Sequence, residues 1–168
     1  MLWNQVRPLV VCALVVVSAG LAVVSGQQND GVRTVAQLYR DYAWEAVVVE
    51  PHAPALALVA QPKNILAKYF DDELATLLVK DSECARRTKG ICNLDFSPLW
   101  ASQYPGATEL KVVGAADPSS VTVTFRHPNE KTPTTVRYRL RRTPAGWRIQ
   151  DIVYDEIGSL VKLLKQGA

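Results

Sequence analysis

The sequence is poor in the residues that build metal centres and covalent catalytic sites. It holds three cysteines, two histidines and one methionine among 168 residues, and it contains no Gly-x-Ser-x-Gly elbow, glycine-rich phosphate loop or zinc-binding spacing. His52 and His127 each stand beside a proline in a predicted loop, without a second histidine or a carboxylate pair nearby. The sequence therefore predicts no catalytic residue, no metal site and no cofactor. It favours a protein that is not an enzyme, although catalytic groups can also assemble from distant positions.

Neither charge nor flexible residues are in excess. The formal net charge is only +3, which argues against a dedicated nucleic-acid binder. With 9 glycines, 10 prolines and 48% hydrophobic residues, the composition excludes a disordered or collagen-like chain. The length is that of one common domain, and we expect a single domain of unknown function over residues 30–166.

The N-terminal segment predicts export. Arg7 precedes an uncharged apolar stretch over residues 9–24, which ends in the small residues Ser25 and Gly26. Such a stretch is typical of a signal peptide, and it is shorter than the about 20 residues that usually span a hydrocarbon core. We therefore predict a cleaved signal peptide over residues 1–26 and a periplasmic or secreted protein. The alternative is an uncleaved anchor in the inner membrane, which would then be the membrane contact of the chain.

Two cysteines lie beyond this segment. An even pair in an exported chain favours a disulfide between Cys84 and Cys92 over a metal site or a nucleophile. Closing so short a ring contributes roughly 2.5 kcal/mol on the chain-entropy estimate. We expect the ring to tie down a polar loop over residues 85–90, which has no apolar pattern of its own. Two free thiols are the alternative.

Helices are predicted in the first half of the chain. Apolar residues at steps of three or four predict a first helix with Asp30 as its N-cap; they are Val32, Val35, Tyr39, Tyr42 and Ala46. A second helix is predicted within residues 65–78, where the acidic triplet over residues 71–73 can start a new helical turn because carboxylates stabilise helix N-termini.

The second half of the chain changes to a period of two. It predicts four strands, over residues 109–115, 121–126, 135–140 and 147–152, followed by a short C-terminal helix after Ser159. Helices followed by consecutive strands indicate an α+β fold, with N-terminal helices packed on a curved antiparallel four-stranded meander.

Alternation on the third strand also predicts a surface. Val136, Tyr138 and Leu140 should face inward, and the arginines between them outward. Neighbouring arginines repel one another, so a partner that supplies carboxylates or phosphates would suit this face. The predicted basic face consists of Arg137, Arg139, Arg141 and Arg148; a solvated sheet surface is the alternative.

A second set of residues suggests a pocket. Alternation places Asp151 on the face of Trp147 and Ile149, and a carboxylate buried there needs a cation, several N–H donors or a raised pKa. Trp44 and Trp100 are further candidates for lining a cavity that holds a small ligand. The alternatives are core packing for the tryptophans and, for Asp151, a polar link to the backbone or to the terminal helix.

Four motifs, taken together, resemble a known family. They lie at residues 34–39, 69–74, 94–99 and 147–152, the last followed by Gly158-Ser159-Leu160. In order and spacing they are similar to the domain of unknown function 3828 family of small exported bacterial proteins. The resemblance implies a cone-shaped fold like nuclear transport factor 2 or cystatin, in which helices and a curved sheet enclose a pocket. It also implies a periplasmic location, often with a lipid anchor, and no established activity.

The chain departs from this family at two sites. The resemblance implies acidic residues at Ser97 and Tyr104, which this chain lacks, and no lipobox precedes Cys12. Two functions stay open. One is a non-enzymatic envelope protein, accessory or immunity-type, that binds another envelope protein through the basic face or the disulfide loop. The other is a pocket protein that binds a small ligand in a cone-shaped cavity. A filled cone would favour the first, and a wet cavity with Asp151 at its wall the second.

Overall fold

A computed structural model describes residues 25–47, 56–104 and 106–166, with side chains from residue 30 onward. Residues 1–24 of the predicted signal peptide and His52 lie outside these ranges. Within the described ranges, no helix is both long enough and apolar enough to cross a membrane.

The first helix begins earlier than the sequence pattern predicts. Helix α1 spans Ser25–Tyr42 and continues into a 3-10 turn over Ala43–Ala46. Asp30 therefore lies inside the helix and is not its N-cap. Its carboxylate pairs with Arg33 at 3.0 Å. The residues before Asp30 include two glutamines, which tolerate a helix well although they show no apolar period.

The predicted second helix is two helices. Helix α2 spans Lys63–Leu66 and helix α3 spans Asp72–Thr88. Between them the chain pairs with the sheet. The N–H of Ile149 donates to the carbonyl of Tyr69 at 2.8 Å, and the N–H of Asp71 donates to the carbonyl of Ile149 at 2.9 Å. Asp71 then caps α3 by accepting from the N–H of Leu74 at 2.9 Å. The acidic triplet starts a helix, as expected.

Helix α3 runs through most of the segment that was expected to be a polar loop. It ends at Thr88, and its C-cap Lys89 has a φ of 53°. Alanine, arginine and lysine sustain a helix without an apolar face, which is why periodicity missed this part. The predicted disulfide between Cys84 and Cys92 is confirmed, with Cα atoms 6.1 Å apart. Such bonds form and persist in oxidising, extracytoplasmic surroundings.

The sheet is an antiparallel meander of five strands in chain order, not four. The strands are β1 Thr108–Gly114, β2 Ser120–Arg126, β3 Thr134–Thr143, β4 Gly146–Tyr154 and β5 Gly158–Ser159. Strand β5 pairs with the end of β4 through Val153 and Tyr154, and it is too short to show a period in sequence. Helix α4, Leu160–Leu164, follows at once with Ser159 as its N-cap. The α+β class and the terminal helix are confirmed.

Alternation on β3 is also confirmed. Val136, Tyr138 and Leu140 are buried, whereas the arginines between them are exposed. Helix α1 packs on the inner face through Val35 and Leu38, which are fully buried. The buried apolar residues form one core that takes in α1, α3, α4 and the sheet.

A β-bulge in β4 overturns one predicted face. Arg139 lies opposite Asp151, but Leu140 lies opposite Ile149, so Gln150 is an extra residue in the ladder. A bulge shifts the alternation of every residue beyond it. Asp151 therefore lies on the arginine face of the sheet and not on the face of Trp147 and Ile149.

Asp151 is nevertheless buried, with 7% of its surface exposed. Its carboxylate accepts from the hydroxyl of Ser159 at 2.8 Å and from the N–H of Val161 at 3.1 Å. The guanidinium of Arg139 lies 3.9 Å away. Asp151 thus fastens β5 and the start of α4 to β4, which is the polar link to the terminal helix.

We expect Asp151→Asn to lower the melting temperature. The amide would direct an NH₂ group at one of two donors and would lose the charge of the acceptor, which costs about 1–3 kcal/mol. In a domain of this size that is a shift of several degrees, or about 2–4 °C per kcal/mol. Thermal unfolding followed by circular dichroism measures it. Asp155→Asn is the matched control, since that carboxylate is exposed and contacts Arg137; equal melting temperatures for the two variants would contradict the role of Asp151.

Candidate functional site

Aromatic side chains occupy the space between α1 and the sheet. Trp100, only 2% exposed, meets the ring of Tyr39 edge-on with centroids 5.1 Å apart, and that of Phe125 at 5.3 Å. The Tyr138 ring lies edge-on to Tyr39 from the sheet side, at 6.0 Å. The indole N–H of Trp100 is buried and has no hydrogen-bond acceptor among the described residues. The Trp100 side chain therefore fills the interior through apolar ring contacts.

Buried tyrosine hydroxyls fasten the chain between α3 and β1 to this interior. We call this segment, residues 89–107, the connector. Tyr138 donates to the hydroxyl of Tyr39 at 2.9 Å, and Tyr39 donates to the carbonyl of Leu99 at 2.8 Å. Tyr154 donates to the carbonyl of Pro98 at 2.8 Å. Burial raises the pKa of all three phenols above the ordinary value of 10.0. They remain protonated donors at neutral pH and serve structure, not proton transfer.

The sequence reading missed a buried carboxylate at the end of α1. Glu45 is 9% exposed, and it accepts from the N–H of Leu58 at 2.8 Å and from the hydroxyl of Ser97 at 2.9 Å. Burial raises the pKa of Glu45 above its ordinary value, and these two hydrogen bonds oppose the rise. Ser97 therefore donates to an acid of the 3-10 turn after α1, at a position where the family resemblance implies an acid in the connector itself.

The described part of the chain places the predicted pocket residues in different parts of the fold. Trp100 lies in the interior, Asp151 lies on the outer face under α4, and Trp44 is half-buried in the 3-10 turn after α1. Trp147, at the start of β4, packs against the core and lines a surface cleft.

The predicted basic face is largely neutralised by carboxylates of the same chain. Arg137 pairs with Asp155 at 2.5 Å, and Arg141 pairs with the helix cap Asp71 at 2.9 Å. Arg139 has Asp151 as its nearest carboxylate. Exposed ion pairs add little stability, but they cancel the field that an unpaired arginine row would present to a partner. The fourth residue, Arg148, bonds instead to the carbonyls of Ala67 and Trp147, each at 2.8 Å.

An open cleft of about 520 Å³ lies beside this face. Helix α1 forms one wall, the chain before α3 forms a second, and the β3–β4 turn forms the third. We call it the cationic cleft, because basic side chains outnumber acidic ones in its lining. The charged lining residues are Asp30, Arg33, Asp41, Lys68, Arg142 and Arg148, and the aromatic ones are Tyr69 and Trp147.

Three of these cations have no carboxylate within ion-pair distance among the described residues: Lys68, Arg142 and Arg148. Lys68 and Arg142 are exposed. Arg33 is paired with Asp30, and Arg148 is held by backbone carbonyls. The cleft therefore carries a net positive charge, and Lys68 and Arg142 are exposed to solvent in it.

The carboxylate of Asp41 accepts hydrogen bonds from two other residues of the cleft lining. Its carboxylate accepts from the hydroxyl of Tyr69 and, at 2.7 Å, from the amide of Gln37. The Tyr69 hydrogen bond is the largest of the effects that lower the pKa of Asp41, and the charge of Lys68 adds to them. Burial raises the pKa of Tyr69, so it stays protonated. Asp41 is thus ionised at neutral pH and positions Tyr69 as a wall of the cleft.

The arrangement of the cleft suits the binding of an anion. Within the part of the chain that the structure describes, no cluster of histidine, cysteine and acidic residues could hold a metal ion. The carboxylates of the cleft are engaged, while Lys68 and Arg142 are free to donate. No local sequence signal marks these two residues, because the walls come from segments far apart in the chain.

Comparison with known proteins gives the fold and no more. No protein-family model matches the chain, and no curated protein matches it. The chain is similar to a protein of unknown function from Bacteroides thetaiotaomicron, with 18% identity, a TM-score of 0.50, and 74% of this chain and 89% of that chain covered. It also matches a phospholipid-binding protein from Ralstonia solanacearum, solved with a phospholipid, at 18% identity and a TM-score of 0.29 over 82% of this chain and 70% of that one. The second likeness is too distant to support an argument.

We expect Glu45 to make stability depend on pH. Because its pKa is raised in the folded protein above the ordinary 4.5, the folded state binds this proton more tightly than the unfolded chain does. The free energy of unfolding should therefore gain from Glu45 as the pH falls through the raised pKa towards 4.5. Glu45→Gln has no such proton to bind.

Denaturant unfolding at a series of pH values measures the difference between wild type and variant. The stability of the wild type relative to Glu45→Gln should rise as the pH falls from about 7 to about 5. Glu156→Gln, which removes an exposed carboxylate, is the control and should give a flat difference. Parallel curves for wild type and Glu45→Gln would show that this carboxyl is not perturbed by burial.

Proposed function

We propose that this protein is an exported, non-enzymatic domain of the bacterial envelope that binds a partner protein through the cationic cleft. One observation carries the proposal: the interior is filled by Trp100 and its aromatic neighbours, whereas the cleft is open and holds two exposed cations with no carboxylate within ion-pair distance among the described residues. Binding therefore belongs to the surface of the domain and not to its interior.

The filled interior bears on the family resemblance. In a fold like nuclear transport factor 2, the space between helices and sheet is where a small ligand would sit. Here Trp100 packs against Tyr39 and Phe125 in that space. Opening it would expose large aromatic surface and break the hydroxyl link from Tyr39 to Leu99. We propose membership of the domain of unknown function 3828 family, with a cone that this chain has closed.

Hydrogen bonds hold the walls of the cleft in place. The β3–β4 turn is closed by the hydroxyl of Thr143, which donates to the carbonyl of Gly146 at 2.8 Å. Gly146 has a φ of 99°, which an L-residue with a side chain rarely adopts. Arg148 ties the strand after the turn to Ala67, next to Lys68. Arg142 and Lys68 thus extend from supported backbone.

The chemistry of the lining selects an anionic group. A guanidinium and an ammonium that are free of internal partners form charge-assisted hydrogen bonds with a carboxylate. The partner we propose presents an acidic side chain or a terminal carboxylate to Lys68 and Arg142. An accessory protein or an immunity-type inhibitor would use such a contact in the same way.

A small anionic ligand is the second candidate. Its support is the cleft volume of about 520 Å³, which falls within the range of about 300–1,000 Å³ for ligand pockets. Such pockets are mostly apolar and bury most of their ligand. The cationic cleft instead has mainly exposed, charged walls, with Tyr69 and Trp147 as its large apolar surfaces. A protein partner, which adds contacts outside the cleft, fits this composition better.

The location completes the proposal. The disulfide Cys84–Cys92 and the apolar segment over residues 9–24 both suit the periplasm or the outside of the cell. Cleavage after Gly26 would release the domain. An uncleaved segment would anchor it to the inner membrane and place the cleft near other envelope proteins.

We expect the double variant Lys68→Gln/Arg142→Gln to lose anion binding. Isothermal titration with a hexaglutamate peptide is the measurement, and inorganic phosphate is the small-anion comparison. Losing two charge-assisted contacts should weaken peptide binding by about tenfold or more. Raised salt should weaken binding to the wild type as well, because the contact is exposed.

The control variant is Lys111→Gln/Lys131→Gln, which removes the same charge from exposed residues outside the cleft lining. It should bind the peptide almost as well as the wild type. Equal losses in the two double variants would reduce the effect to net charge and refute the cleft. Tighter binding of phosphate than of the peptide, with the same dependence on Lys68 and Arg142, would favour the small-ligand candidate.

A further inference from the structure

A second surface lies at the end of α3, away from the cleft lining. All residues from Arg86 to Ile91 are exposed, and we call this stretch the α3 tip. Ile91 is 70% exposed. Single exposed apolar residues are common, but this one stands within a run of basic residues on a loop that the disulfide closes.

The α3 tip is held in place on both sides. The disulfide joins Cys84, within the helix, to Cys92 directly after Ile91. Asn93 then donates from its backbone N–H and its side-chain amide to Asp81, at 2.8 and 3.0 Å. These bonds tie the chain on either side of the tip to α3. Ile91 is therefore presented to solvent by a closed loop.

The cations of the tip have no internal partners. Arg86, Arg87 and Lys89 form no ion pair among the described residues. Basic residues in the last turn of a helix stabilise its dipole, which accounts for two arginines near the C-terminus of α3. The dipole does not account for an exposed isoleucine beside them. The combination of free cations and one prominent apolar side chain requires a further explanation.

We propose that the α3 tip docks on an anionic lipid surface. Ile91 would enter the headgroup region, while Arg86, Arg87 and Lys89 contact the lipid phosphates. Basic residues around an apolar side chain form the composition that binds bilayer interfaces, where charge attracts the protein and the apolar group inserts. This inference does not rest on the cationic cleft or on its partner.

The size of the tip favours a membrane over a protein. A stable protein interface buries about 1,200 Å² or more with matching shapes, and the tip is one helix end with one large apolar side chain. A bilayer needs no matching shape, because lipids rearrange around an inserted group. The disulfide removes the freedom of the loop, so less entropy is lost when Ile91 is held in the headgroups.

The test uses the protein as cells export and process it, with vesicles of phosphatidylcholine alone or mixed with phosphatidylglycerol. Hydrogen–deuterium exchange of the segment over residues 86–92 gives a local readout that contact through the N-terminal segment does not produce. We expect exchange there to slow on the phosphatidylglycerol vesicles and to stay unchanged on neutral ones.

Vesicle sedimentation then tests the residues. Ile91→Ser should weaken binding on the order of tenfold, and Arg86→Gln/Arg87→Gln should weaken it by about fivefold per charge. The controls are Val113→Ser, which alters another exposed apolar residue, and Lys111→Gln/Lys131→Gln, which removes the same charge elsewhere. Both should bind as the wild type does, and circular dichroism confirms that each variant folds.

Three results would overturn the proposal. One is unchanged exchange over residues 86–92 on anionic vesicles, and another is equal protection on neutral vesicles. The third is protection of the tip by hexaglutamate but not by vesicles, which would identify an acidic protein surface as its partner. Failure of peptide binding at Lys68 and Arg142, with tip protection intact, would refute the cleft and leave the membrane contact standing.

Discussion

The packing of Tyr39 is the interaction on which the structure depends. Its hydroxyl donates to the carbonyl of Leu99 in the connector and accepts from the hydroxyl of Tyr138 in the sheet, while its ring meets Trp100 edge-on. One side chain of α1 thus joins the helix, the connector and β3. Because the buried hydroxyl of Tyr39 both donates and accepts a hydrogen bond, the interior can be tightly filled without leaving this hydroxyl unsatisfied.

The arginines on the outer face of β3 have carboxylates of the same chain as partners. Carboxylates at helix starts and strand ends, such as Asp71 and Asp155, take up the arginines of the outer sheet face. Cations without an ion pair remain at several places on the described surface, among them Lys68 and Arg142 in the cationic cleft and the basic residues of the α3 tip. In the cleft, side chains from separate segments lie together, and at the α3 tip the cations follow one another at the end of a helix.

Sequence periodicity predicted the α+β class and the alternation of β3, and the even pair of cysteines in an exported chain predicted the disulfide, because each depends on residues close in the chain. It failed where tertiary contacts override the local pattern. Gln150 forms a bulge next to Ile149, which also pairs with the chain at Phe70, and no local feature of the sequence indicates that pairing. Glu45 has no local pattern that marks it as buried, because the residues that contact its carboxylate, Leu58 and Ser97, are distant in the chain.

The sequence by itself determined the α+β class, the approximate positions of four strands and the terminal helix, which cysteines can join, and that no familiar catalytic motif is present. These follow from side-chain chemistry and spacings of a few residues. Only the tertiary structure decided which arginines form ion pairs, that Trp100 fills the interior, and that Lys68 and Arg142 share one cleft. Those properties depend on distances between segments far apart in the chain, and such distances are set by the packing of the whole core.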